Sequence, residues 1–259
     1  QEALLVYRDA ANFQNNNAFE LAADEWLRFL KRYPDDPLAA KAQHYLGVCL
    51  LQLKQYQKAA DAFQQVVVKH PEFEELQEAY LNLGWCQYTL AGSGVEGMYA
   101  KAAETFAALL KNYPEGKYID QATFFLGDAE YHQGNRKAAA AYYARMVEAY
   151  PESSLRADAL YALGVTYEEL QRHEDAGRIY DLYLKDFSEN PLAPEVRMRK
   201  AETELQAGQY AVAAAAFGEV AALPDFSSVD HALSRQAFCL MQLDQFAQAA
   251  ALYARIATD

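Results

Sequence analysis

The chain has 259 residues, 36 of them acidic and 23 basic, for a formal net charge of -13. An acidic surface of this size repels phosphate backbones and offers no basic stripe for counterion release, which argues against nucleic acid as a partner. No apolar run approaches the roughly 18 residues that a membrane-crossing helix needs.

The chain writes one pattern four times: "KRYPDDPLAAKAQHYLG" from Lys31, "VKHPEFEELQEAYLNLG" from Val68, "KNYPEGKYIDQATFFLG" from Lys111 and "EAYPESSLRADALYALG" from Glu148. Each copy keeps a Pro, an Ala and a terminal Leu-Gly in register. Self-similarity at a fixed period marks a repeat architecture. Gly47, Gly84, Gly127 and Gly164 are 37, 43 and 37 residues apart, and the same slot continues at Ala201 and Ala237 and backwards at Ala10. A second series accompanies it in all seven repeats: an Ala followed four residues later by an aromatic, as in Ala22 with Trp26, Ala59 with Phe63, Ala102 with Phe106 and Ala249 with Tyr253.

These two series predict a pair of antiparallel helices per repeat. The small residue lets the backbones approach, and the aromatic fills the space beside it. Pro34, Pro71, Pro114 and Pro151 close the second helix, because proline lacks a donor and clashes with the preceding turn. Asp36 before Pro37 is expected to cap the next helix, with the proline at its first position. The third repeat carries six surplus residues within 91–99, "AGSGVEGMY", read as an extended loop inside the pair.

This series resembles the tetratricopeptide repeat, over essentially the whole chain. The resemblance implies an all-α, right-handed superhelical solenoid of about seven helix-turn-helix repeats. The approximate repeats are 1–36, 37–73, 74–116, 117–153, 154–190, 191–226 and 227–259, forming one array over 1–259. The units are longer than the usual repeat of about 34 residues. The Tyr-Pro ends and longer link are similar to a bacterial envelope subgroup that includes the outer-membrane assembly lipoprotein D and the Tol-Pal cell-division coordinator. That likeness implies a periplasmic or outer-membrane-associated protein, with the cytoplasm as the alternative. The start at Gln1 and stop at Asp259 are read as those of a segment of something longer, so an anchor on a parent protein is compatible with this reading.

Nothing in the chain reads as catalytic. The histidines fall at five different repeat positions, and no nucleophile elbow, phosphate loop or metal-protease motif is present. Cys49, Cys86 and Cys239 share one slot, two residues after the Gly/Ala position, where cysteine serves as a compact apolar group. The expectation is therefore a non-enzyme with no cofactor, no metal and no disulfide framework.

In the family the first helices line the concave surface. On that frame the inward positions include Tyr7, His44, Leu81, Trp85, Tyr88, Phe124, Asp128, Tyr131, Tyr161, Glu168, Met198 and Glu202. Aromatics dominate the middle repeats and acids the later ones. The combination suits a protein or peptide partner presenting an apolar or basic segment. Lys41 is the one cation among these slots, which argues against a clamp for a terminal carboxylate. Two other readings stay open: a small ligand or cell-wall fragment stacked on Trp85 and Tyr88, and an array assembling end to end. In repeats six and seven the Leu before the Gly slot becomes Lys200 and Gln236, predicting less apolar interiors.

Overall fold

The computed structural model describes residues 1–224 and 226–257. Among them are fourteen α-helices and no strand. The helices fall into two compact units, 1–135 and 136–259.

The first unit contains α1 (Glu2–Asn15), α2 (Phe19–Arg32), α3 (Ala39–Gln52), α4 (Tyr56–Lys69), α5 (Leu76–Gly92), α6 (Met98–Asn112) and α7 (Ile119–His132). The second contains α8 (Arg136–Ala149), α9 (Arg156–Glu169), α10 (His173–Asp186), α11 (Ala193–Gln206), α12 (Tyr210–Ala221), α13 (Val229–Gln242) and α14 (Phe246–Ile256). Within each unit every helix packs chiefly on its sequence neighbours, the contact pattern of a solenoid.

The two sequence series meet in this packing. Ala22, Ala59, Ala102, Ala176 and Ala213 are fully buried, as are Trp26, Phe63, Phe106, Tyr180 and Phe217 four residues on. A side chain added at Gly47 would place its Cβ 2.7 Å from Cε1 of Phe63, and one at Gly84 would stand 2.6 Å from Cε1 of Phe106. Glycine is therefore required where a first helix lies flat against the ring of the second. The pattern weakens only in the last repeat, where Tyr253 is exposed. Two buried polar tips are paired across helices: Trp26 Nε1 donates to Gln14 Oε1 at 2.9 Å and Thr105 Oγ1 to Gln87 Oε1 at 2.7 Å. Cys49, Cys86 and Cys239 are buried free thiols, and burial pushes Cys49 up to about 11 and Cys86 to about 12.

The turn inside each pair uses one left-handed residue, seven positions after the Gly/Ala slot: Asn17, Lys54, Gly134, Gln171, Gly208 and Asp244 all have positive φ. The third repeat differs: its longer turn uses two left-handed residues, Gly94 and Gly97. The surplus residues do not form one extended loop. Three lengthen α5, which has 17 residues where the other first helices have 14, two enter the turn and one extends α6. Asp36 also acts differently from the expected cap. Helix α3 starts at Ala39, beyond Pro37, and the Asp36 carboxylate accepts from Leu38 N at 2.9 Å while its carbonyl accepts from Ala39 N at 2.8 Å. Asn190 repeats this arrangement with Leu192 and Ala193 ahead of α11. The link is an Asx-type turn, which holds the chain between the proline and the next helix.

The Leu slot behaves as its composition dictates. Leu46, Leu83, Leu126 and Leu163 are buried, whereas Lys200 reaches Asp181 at 2.7 Å and Glu204 at 3.4 Å. Repeat six thus replaces an apolar contact between α10 and α11 with an ion pair.

Candidate partner-binding surface

Steps of three and four residues keep side chains on one face of a helix. On α5 these steps run Leu81, Trp85, Tyr88; on α7 they run Phe124, Asp128, Tyr131. Leu81 and Phe124, at 9% and 8% exposure, form the floor. Trp85 stands 38% exposed above it.

The rings make one connected surface. Trp85 lies nearly parallel to Tyr88, with centroids 6.1 Å apart, and meets the edge of Phe125 at 5.0 Å. Phe125 stacks at 5.8 Å on the fully buried Phe106, so the exposed rings are anchored in the core. Tyr88 OH donates to Asp128 Oδ2 at 2.9 Å, joining α5 to α7. Burial first, and then the Asp128 carboxylate, raise the Tyr88 hydroxyl well above its ordinary range, so it stays a proton donor. Tyr99, from the first turn of α6, meets Tyr88 at 5.5 Å and stacks on His132 at 4.6 Å with planes 11° apart. The second helix of the pair thus adds a ring to the surface. Tyr131 borders it, edge-on to His132.

The other sequence-derived positions divide. Tyr7 packs edge-on against Trp26 at 4.8 Å and Phe29 at 5.7 Å, and burial, Tyr45 and Glu75 push its hydroxyl up to about 12. His44 is 98% buried among Tyr45, Phe63 and Phe73, with Nε2 3.8 Å from Glu78 Oε1, and so belongs to the interior rather than to a contact face. Met198 is likewise buried.

In the second unit the acids have cationic neighbours. Arg199 lies over the Tyr161 ring, donates to Tyr161 OH at 3.1 Å and to Glu168 Oε2 at 3.0 Å, and Tyr180 OH donates to Glu168 Oε1 at 2.7 Å. Glu202 accepts from Arg235 at 2.7 Å, with His231 at 3.4 Å. Glu168 and Glu202 therefore hold repeats together as ion pairs. Among the described residues no cluster of metal-ligating side chains occurs, and no helix is long and apolar enough to cross a membrane.

Phe125, Tyr99 and His132 escape the sequence frame. Phe125 sits one position beyond the inward slot, and Tyr99 lies on α6, a second helix outside the first-helix frame. His132 carries a usable signal, four residues after Asp128 on the same helix face.

Tetratricopeptide repeat family models match residues 3–72 and 95–154, and a second repeat model matches 158–190. The chain belongs to the tetratricopeptide repeat family. No curated protein matches the sequence. Among solved structures, a tetratricopeptide repeat protein from Parabacteroides merdae shares 15% identity, covers 100% of this chain and 93% of its own, and superposes with a TM-score of 0.62. The C-terminal part of a repeat protein from Cytophaga hutchinsonii gives 16% identity, 96% and 93% coverage and a TM-score of 0.68. YrrB, described as a tetratricopeptide repeat protein with an unusual peptide-binding site, gives 21%, 73%, 88% and 0.58. These likenesses are of fold. The helical pairs described above are this family's repeats, the Gly84–Phe106 and Gly47–Phe63 contacts lying within them.

Proposed function

We propose that this tetratricopeptide repeat protein is a non-catalytic scaffold that binds an apolar or basic segment of another protein on the aromatic surface of α5, α6 and α7. The observation that carries the reading is Trp85. A large ring kept in solvent, stacked on Tyr88 and backed by Phe125, costs the free protein apolar exposure that a partner would remove. Tyr88, Tyr99 and His132 add polar tips beside that contact, and Asp128 brings the charge that favours a cationic side chain over an anionic one. The peptide-binding description of YrrB supports the same class of partner.

The test is a selection from a displayed random-peptide library on the intact protein, with Trp85→Ala as the parallel target. Peptides enriched on the parent should lose about 2 kcal/mol, or roughly thirtyfold in Kd, on Trp85→Ala, the size of an interface hot spot. Helicity should be unchanged, since Trp85 is not a core ring. Equal binding by both proteins would remove this surface from the function. The Tyr-Pro repeat ends support placing the partner in the bacterial envelope, and cell fractionation of a tagged chain tests that compartment.

A further inference from the structure

A second surface lies on the second-helix side of the first unit, independent of the aromatic face. A trough of about 690 Å³ runs between α2 and α4 over α3, with Leu46, Leu50 and Leu53 as its floor and Leu27 and Leu30 on its α2 wall. Leu27 is 51% exposed.

Two opposite charges flank Leu27 on the same wall, with Glu20 a turn before Asp24 and Lys58 and Asp61 on the facing α4 wall completing the charged lining. Asp24, Leu27 and Lys31 follow one another at spacings of three and four residues, so they share one face of α2. Among the described residues neither Asp24 nor Lys31 has an ion-pair partner, and seven residues apart they are about 10 Å from each other along the helix, too far to neutralise one another. Their nearest charged neighbours on α2 are engaged elsewhere: Arg28 with Glu25 and Arg32 with Glu2.

A two-fold axis is the operation that satisfies this face. If a second α2 lies antiparallel across the first, residue i meets the residue reflected through the crossing point, and the same patch serves both subunits. With the crossing beside Leu27, Asp24 of each copy faces Lys31 of the other and the two Leu27 side chains meet beside the axis, each at the rim of its own trough. We infer that the protein self-associates as an isologous dimer through α2, a second copy of this chain covering the trough.

Sedimentation of the full chain over a concentration series tests the inference. The parent should show a monomer–dimer equilibrium, weakened by salt because the pairs are exposed. Leu27→Asp should sediment as a monomer. Asp24→Lys and Lys31→Asp should each weaken self-association about tenfold or more, since each places like charges opposite one another. An equimolar mixture of those two variants should regain the parent's association, because one presents only lysines and the other only aspartates across the axis. A folding defect cannot produce that recovery. A parent that stays monomeric throughout the series, a dimer indifferent to Leu27→Asp, or a mixture that fails to associate would each overturn the inference.

Discussion

Gly84→Ala isolates the contact on which the repeat is built. The added Cβ would lie 2.6, 2.7 and 2.9 Å from three ring carbons of Phe106, where carbons in contact prefer roughly 3.5–4.0 Å, so the overlap is about 1 Å at each. Phe106 is fully buried and itself stacked on Phe125, leaving the ring no open side to turn into. Overpacking of this kind costs about 1–3 kcal/mol, and the rigid ring places this case at the upper end. Replacing glycine by alanine inside a helix returns up to about 1 kcal/mol of propensity. The net expectation is a loss of about 2 kcal/mol. Urea unfolding followed by tryptophan emission measures it, because Trp26 and Trp85 both lie in the first unit. In a Phe106→Leu background the same Gly84→Ala change should become neutral or favourable, the signature of a pairwise clash. A Gly84→Ala protein at least as stable as the parent would refute the reasoning.

Two further predictions concern buried charge. Burial lowers the pKa of His44 below its ordinary 6.5, with Lys41 acting in the same direction and Glu78 and Glu75 opposing. The unfolded chain then takes up the proton first, so stability is full above about pH 6.5 and falls as the pH drops below it. His70, lowered by burial and Lys69, adds the same sign. The urea midpoint of the first unit should fall between pH 7.5 and 5.5, and His44→Phe should flatten that dependence; an unchanged slope would contradict the assignment. In the second unit, Arg199→Ala should cost about 1–3 kcal/mol by stripping Glu168 of its cationic partner, leaving it only the Tyr180 hydroxyl. Arg199→Lys should recover only part of this, since an ammonium cannot reproduce the planar fork that reaches Tyr161, Glu168 and Glu195 together. Circular dichroism reads this change, and full recovery by lysine would count against the bridging role.

Much of the fold was legible because the repeat forces the same small residue and ring to recur. Gly47, Gly84 and Gly164 could be paired with Phe63, Phe106 and Tyr180 by period alone, and the packing agrees. The turn chemistry was less legible: Lys54 and Gln171 adopt positive φ with no glycine to announce it, so only their repeat position marks them. The connected face of Trp85, Tyr88 and Asp128 was legible, where helical spacing sufficed. It failed at His44, because a histidine among apolar residues reads alike whether it faces a groove or the seam between helices. It failed again at Glu168 and Glu202, whose arginine partners lie 31 and 33 residues downstream, beyond what local spacing reveals. Tyr99 was hidden because it lies on α6, while the inward positions were counted along first helices only, and its stacking on His132 is a contact between helices.

Ionic strength bears on the partner's chemistry. With Glu168 and Glu202 paired to Arg199 and Arg235, added salt should reduce affinity for a basic peptide only modestly, the response being confined to Asp128 and its surroundings.

The most direct measurement places a photoreactive residue at position 85 and, as a control, at Val68, an exposed residue on α4 away from the aromatic surface, and irradiates each with a peptide selected on the parent protein. Crosslinking from position 85 alone, suppressed by excess unlabelled peptide, is the result predicted here. Equal crosslinking from both positions, or none from position 85 under saturating peptide, would contradict the aromatic face as the binding site.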